Sequence, residues 1–347
     1  MAQQNYSTDP SRNLIFAEMK MLKHAEPIQV LSKFGAQKEH PKNKTDTVVF
    51  RRLQPFNATA SEVPDITATN FITAEGVTPT ANTIAYTDVS VTLQQYAVLF
   101  KFSSKVADMY EDDIPDDMAT QTGETMAEVA ELVCYGQTKA GTSVVYSNGS
   151  TRAGVDSAIT LGKLRLSART LESNRAKLVT RMIKPGPDFG TSAVEGAYLV
   201  FHHTDVNADI RDLPNFIVLA DYGGAFKPVH PREIGACEEF RFISSPLFAP
   251  FLAAGAAVGS TGMVAADTAT IDVYPVIICA QDSWGQVSLK GRGYSGVSPT
   301  LIPANVKNHA NPSGQFGYVG ADFWFAATIL NQNWMTRLET AVTDLDT

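Results

Sequence analysis

Apolar and polar residues alternate from Ile84 onward. Val89, Val91 and Leu93 fall on one face of an extended chain, and Asp88, Ser90 and Thr92 fall on the other. The stretch TDTVVFRRLQPF, Thr45 to Phe56, supplies the antiparallel partner, with Val49 among its apolar residues and Arg51 and Arg52 among its polar ones. A polar, Pro-bearing stretch from about Asn57 to Thr83 separates the two. The pattern predicts a two-stranded ribbon with a long tip around AEGVTP, which carries Glu75. Such a ribbon is marginal alone in water and needs a surface to lean on.

Elsewhere the periodicity changes. Ile15, Met19 and Leu22 predict a helix over Leu14–Val30, stopped at Pro27, and residues 31–45 read as a basic, loop-like arm. Met118, Thr122, Met126, Val129 and Val133 recur at spacings of three or four and predict one long amphipathic helix from Pro115 to Tyr135, with Gly136 as its stop. Asn148-Gly149 is a hairpin signal, and Leu161, Leu164, Ala168 and Leu171 mark a second, basic-flanked helix. From Gly196 the chain is β-rich. AYLVFHH, DVYPVIICA, GQVSLKG and ADFWFAATIL read as strands, TDVNADIRDL as a short helix capped at Thr204-Asp205, and NWMTRLETAV as a short helix or a strand extension. The apolar run of DVYPVIICA fits a strand buried on both faces, whereas Pro275 argues for a bulge or an edge. The sum is an α+β fold.

Charge changes the picture in one respect. The chain has 347 residues and a net charge of −8, which argues against a surface built to grip nucleic acid. Residues 1–52 nevertheless hold nine Lys or Arg against five acids, and residues 106–138 hold nine acids and no Lys or Arg. These are either two solvated faces or a basic arm and an acidic strip that pair between copies. Three widely spaced cysteines, Cys134, Cys237 and Cys279, give no metal spacing and no disulfide framework. The start, MAQQNYSTDPSRN, has no signal-peptide pattern, and the Ala-rich, Gly-interrupted window Leu247–Ala266 reads as a loop and not a membrane span. A protein first at work in a cytoplasm is expected.

Candidate chemistry is thin. GRGYSG, Gly291 to Gly296, has the spacing of a dinucleotide-binding turn, but Pro299 and Pro303 follow where a helix must begin. His202 and His203 are adjacent on a strand and point to opposite faces, so they cannot share an ion with Asp205. Glu111, Asp112, Asp113, Asp116 and Asp117 lack calcium-loop spacing. No catalytic site, cofactor or metal is expected, and the chain leans structural.

The order of parts is basic arm, long ribbon, long central helix, basic helix, β-rich module and final aromatic strand. It resembles the major capsid protein of tailed double-stranded-DNA bacteriophages, the Hong Kong 97-type fold. Three stretches resemble the coliphage N-four-like branch: MLKHAEPIQVLSKFGAQKEHPKNKTDTVVFRRLQPF, AEGVTPTANTIAYTDVSVTLQQYA and NPSGQFGYVGADFWFAATILNQNWMTRLET. The turn into VVFRR, the EGVTP tip and the GYVG before the last strand are the most characteristic.

The resemblance implies an N-terminal arm at 1–45, an extended loop at 46–95, a peripheral domain with its spine helix at 96–185, an axial domain at 186–317 and a return to the peripheral domain at 318–347. It implies self-assembly through pentamers and hexamers into an icosahedral shell around double-stranded DNA, held without sequence-specific binding. Assembly would take place in the bacterial host cytoplasm. Expected partners are a separate scaffolding protein, a portal and a decoration protein, with no membrane. Val49, Arg51, Arg52, Glu75, Val89, Val91 and Leu93 of the loop, and Glu111, Asp112 and Asp113, are the candidate contacts between subunits. Met118, Met126, Val129 and Val133 are the core face of the spine helix. In this reading the ribbon lies across a neighbouring copy's helix with its apolar side, Val49, Val89 and Val91 among it, and Arg51 and Arg52 meet acids there, from Glu111 to Asp117. The alternatives are the shell protein of an encapsulin-type nanocompartment, or an enzyme or carbohydrate-binding protein with a β-rich domain.

Overall fold

The computed structural model describes the chain apart from residues 1–28, 57–62, 65, 80, 110–113, 180–195, 223–227, 260–261, 268, 291–296, 308, 310 and 346–347. The strands, in chain order, are β1 (Ala36–His40), β2 (Thr47–Leu53), β3 (Tyr86–Thr92), β4 (Gln94–Ser103), β5 (Val144–Tyr146), β6 (Tyr198–His202), β7 (Ile217–Val218), β8 (Glu233–Cys237), β9 (Phe240–Ser244), β10 (Tyr274–Cys279), β11 (Trp284–Leu289), β12 (Val297–Ile302), β13 (Phe316–Ile329) and β14 (Met335–Thr340). The helices are α1 (Ser104–Met109), α2 (Ile114–Lys139), α3 (Leu161–Ser173) and α4 (Asn207–Arg211).

The chain divides into two compact units. One comprises the described residues of 1–48, 91–136 and 285–328. Its centre is β13, which pairs antiparallel with β4 from Phe316↔Ser103 to Phe325↔Gln94 and with β12 from Tyr318↔Ile302 to Phe323↔Val297. Val319, Ala321 and Phe323 are buried, and Phe323 stacks on Tyr96 of β4 at 5.5 Å. The glycines of GYVG are required by this packing. A Cβ on Gly317 would overlap the Phe102 ring and lie 2.8 Å from the Ile302 carbonyl oxygen, and one on Gly320 would overlap the Val98 carbonyl oxygen.

The other unit comprises the described residues of 49–90, 137–284 and 329–347. A seven-stranded sheet runs in the order β5-β14-β10-β6-β9-β8-β7. Leu164 and Leu171 of α3 pack with Tyr198, Val200, Phe240, Phe242, Val276, Ile278 and Leu338 into one core. All six residues of β10 are buried, which is why that strand shows no alternation. Pro275 is accommodated without an edge: it pairs with Glu339 of β14, and β6 begins to pair only at Ile277.

Several expectations give way to longer-range pairings. Residues 36–40 form β1 and not loop, because they pair in parallel with Gly285–Leu289, a partner no local pattern reveals. Asn148-Gly149 is a turn, with Gly149 at φ 68°, but not a hairpin, since β5 pairs in parallel with β14. The long helix runs past Gly136 to Lys139. One interior glycine costs about 1 kcal/mol relative to Ala, which is too little to end a helix. The short-helix cap is His203, whose ring accepts from Asp205 N–H. The tail is a strand, β14, entered through a 3-10 turn at Gln332–Trp334. The expected helix over Leu14–Val30 lies, but for its last two residues, outside the described residues, as does GRGYSG.

Replacing Gly320 with Ala is expected to destabilise the first unit by about 1–3 kcal/mol, the usual range for forced overpacking. A lowered urea midpoint with an unchanged slope is the measurement, and Gly136→Ala, which meets open space, is the control that leaves the midpoint unchanged or raised.

Candidate surfaces between subunits

The ribbon forms as its alternation predicts. Leu93 N–H donates to the Asp46 carbonyl at 2.9 Å at one end, and Gln54 N–H to the Ala85 carbonyl at 3.0 Å further along. Counting inward sets Phe50 opposite Val89, Val48 opposite Val91 and Arg51 opposite Asp88. Val89 and Val91 are half-buried, Val48 and Leu93 are buried, and the intervening residues are exposed. Val49 is exposed on the opposite face, with Arg51 and Leu53, and so does not share a side with Val89 and Val91 as expected. Antiparallel pairing fixes this, because residues directly opposite share a face and neighbours along a strand do not.

The same register gives Arg51 a partner in its own chain. Its Nε and Nη2 donate to the two carboxylate oxygens of Asp88, each at 2.8 Å. Hydrogen bonding to Asp88 raises the Arg51 pKa, and the same contact lowers that of Asp88. Arg51 therefore stiffens the ribbon and does not wait for an acid elsewhere. The Arg52 guanidinium lies 5.8 Å from the centre of the Trp334 ring. Of the acids expected as their partners, Glu111, Asp112 and Asp113 lie outside the described residues, while Asp116 and Asp117 sit in the first turn of α2, half-buried and exposed respectively.

On the strands and between them the loop keeps large apolar side chains in water. Val49, Leu53, Phe56, Val63, Ile66, Phe71, Ile72, Val77, Ile84 and Tyr86 are all exposed, Ile72 at 77% and Ile84 at 71%. Glu75 is exposed at the tip, in a turn closed by Val77 N–H to the Ala74 carbonyl, with Gly76 at φ 80°. Single exposed apolar residues need no explanation, but a concentration of them marks an interaction surface. Fully burying one such side chain is worth about 1.5–3 kcal/mol.

On α2 the buried stripe is Ala119, Thr122, Met126, Ala127, Ala130, Glu131, Cys134, Tyr135 and Thr138. Met126 sits on it, while Met118, Val129 and Val133 are half-buried at its margins. Glu131 was not legible as a functional position, yet it falls on the apolar stripe one turn before Cys134, and that spacing is the signal. Two other buried carboxylates were also missed. Glu339 accepts both Nε and Nη2 of Arg152 at 2.7 and 2.8 Å, and Glu233 accepts from Tyr222 Oη–H at 2.7 Å.

The remaining candidates do not assemble into a chemical site. No group of three or more His, Cys, Asp or Glu among the described residues is placed to hold a metal. His202 is fully buried, its Nδ1 2.9 Å from the His203 carbonyl oxygen, while His203 Nδ1 faces Asp205 Oδ2 at 3.1 Å. The three cysteines are buried thiols; burial pushes Cys279 up to about 12. Among the described residues no helix is long and apolar enough to cross a membrane.

Comparison with known proteins bears on this arrangement. A family described as phage capsid protein matches residues 85–302. The fold is similar to the capsid of Ralstonia phage GP4, with a TM-score of 0.61 and 10% identity over 90% of this chain and 88% of that one. It is similar to the capsid of cyanophage Pam1, with a TM-score of 0.58 and 9% identity over 97% and 95%. It is similar to the head of Helicobacter pylori bacteriophage KHP40, with a TM-score of 0.55 and 8% identity over 88% and 87%. No curated protein sequence is a significant match.

One pH dependence follows from the buried imidazole. Burial pushes the His202 pKa from 6.5 down to about 4, so between those values the unfolded chain binds a proton that the folded chain does not. The stability contributed by the neutral ring is full above about pH 6.5 and lost as pH falls toward 4, about 3 kcal/mol in all. Urea midpoints across that window should fall with acid in the native chain and show a shallower slope in His202→Gln.

Proposed function

The chain belongs to the phage capsid protein family and is a major capsid protein of an icosahedral phage head, and from that premise we propose how its copies meet. The extended loop, residues 46–95, lies across a neighbouring copy and buries its exposed apolar side chains there. The observation that carries this reading is the concentration of exposed apolar residues between Val49 and Tyr86. The nanocompartment alternative is not favoured, since the matching family is one of phage capsid proteins.

An arm on one copy docking a different surface on the next makes a heterologous contact, which closes into rings when the rotation permits. Rings of five and six, meeting through the axial domain at residues 186–317, tile the shell. Each contact is weak once the costs of association are met, and the closed shell multiplies it because several neighbours hold every subunit at once. Within the arm, the Arg51–Asp88 pair keeps the two strands aligned. Val49 and Leu53 face outward beside that pair, and Glu75 is exposed in the turn at Ala74–Val77.

The head holds packaged double-stranded DNA without reading its sequence. An acidic strip at the start of α2 facing the interior would repel phosphate and keep the DNA mobile. Assembly takes place in the host cytoplasm with a separate scaffolding protein, and the finished shell carries a portal and a decoration protein.

Ile72→Asp combined with Ile84→Asp is expected to leave the subunit's circular dichroism and melting unchanged while abolishing shells and rings in sedimentation. Shells that form at the native yield would sink the proposed role of the loop. Charge reversal at Asp112, Asp113, Asp116 and Asp117 is expected to preserve shells and alter DNA loading or release; unchanged packaging would remove the repulsive strip from the account.

A further inference from the structure

A cleft of about 550 Å³ opens between the turn that follows β1 and residues of β11, β12 and β13. Binding clefts usually measure about 300–1,000 Å³. Leu93, Leu289 and Trp324 give it an apolar wall, and Lys42 and Lys44 line it from the turn. That turn is a built one. Asn43, between the two lysines, takes a left-handed φ of 61°, and His40 Nε2 lies 2.6 Å from the Thr45 carbonyl oxygen across it. Both lysines are exposed, and neither has a hydrogen bond, ion pair or ring contact among the described residues. Asp46 also lines the cleft, and the Thr47 hydroxyl donates to it at 3.2 Å. Two lysines against one acid leave the lining net positive.

The turn of the extended loop carries the complementary chemistry. Glu75 is exposed and, like the two lysines, has no such contact among the described residues. Ile72 at 77% and Val77 at 61% stand in water beside it, and the bond from Val77 N–H to the Ala74 carbonyl at 3.2 Å holds Glu75 and Val77 on one short turn. We propose that the cleft seats this turn from a second copy of the chain: Glu75 meets Lys42 and Lys44, while Ile72 and Val77 cover Leu289 and Trp324. Asp46 and Leu93 close one end of the ribbon and the loop leaves from the other. Seven residues of β2, at about 3.3 Å each, therefore lead a chain's own loop away from its own cleft before the loop begins.

The two kinds of contact do different work. An exposed Lys–Glu pair contributes little by itself. Affinity comes from taking Ile72 and Val77 out of water, and the aliphatic stems of the lysines extend the apolar cover. Charge sets the register, because a displaced turn brings Glu75 against Asp46 and away from the lysines. Turn and seat are different surfaces of one chain, so each copy gives one turn and receives one, as a heterologous ring requires. The seat presupposes that the loop lies across a neighbouring copy, and adds where on that neighbour its turn ends.

The test is a chain carrying both Glu75→Cys and Lys44→Cys, assembled into shells without DNA and treated with a short bis-maleimide. The three native cysteines are buried thiols, so the two introduced ones react first. A ladder of covalent oligomers on a denaturing gel is the expected result, with no ladder from shells of either single variant. Absence of a ladder overturns the seat, and so does crosslinking confined within single chains. Footprinting of Ile72 and Val77 in the same shells separates two failures. Protection without a ladder leaves the loop on a neighbour but away from this cleft; no protection removes the loop contact itself. Should the double variant not assemble, charge reversal gives the second reading. Glu75→Lys alone, and Lys42→Glu with Lys44→Glu, should each raise the subunit concentration needed for shells roughly tenfold, and the three changes together should restore it. Native assembly by both reversed chains, or no recovery in the combination, overturns the proposal.

Discussion

Apolar side chains held in water by a two-stranded ribbon are the constraint on which this molecule turns. A ribbon has no second layer, so the residues of its loop cannot all bury themselves within it. Ile72, Val77, Ile84 and Tyr86 stay exposed, and their removal from water is available to an association and not to folding. What folding does supply is alignment: the Arg51–Asp88 pair and the cross-strand backbone bonds keep the two strands in register, so the apolar groups are presented in a fixed order. A shell subunit needs this division, because contacts that fold the chain must be finished before contacts that join chains begin.

Behind the ribbon, each compact unit solves its packing by itself. In one, the fourteen-residue β13 is flanked by partners and accommodates the crowding with glycine at 317 and 320. In the other, a seven-stranded sheet carries β10 and β6 with every residue buried. Charges inside these units are few and specifically met. Glu339 is held by Arg152 and Arg337, Glu233 by Tyr222 and Arg241, and Glu131 by the backbone N–H groups of Val30, Leu31 and Ser32.

The parts legible in the sequence were those with a local period. The ribbon's alternation, the three-to-four spacing on α2, and Leu164 and Leu171 on α3 each follow from residues a few positions apart. What was not legible depends on distant partners. Residues 36–40 read as loop because their strand partner begins at Gly285. Asn148-Gly149 read as a hairpin because nothing nearby reveals that Val144–Tyr146 pairs with β14. Arg51 was assigned to a neighbour's acids although Asp88 lay within the same pattern; setting the strand register before assigning charges identifies the pair. Val49 was misplaced for the same reason. Glu131 could have been singled out from its position on an apolar stripe, but its three donors come from a turn about a hundred residues upstream.

The account stands on the loop being covered by another copy in the shell, and hydroxyl-radical footprinting tests that directly. Side-chain labelling of Ile72, Val77, Ile84 and Tyr86 would be compared between unassembled subunits and purified shells. Strong labelling in the subunit and protection in the shell is the predicted result. Equal labelling of these four side chains in both would contradict the account, since the apolar loop would then face water even in the finished head.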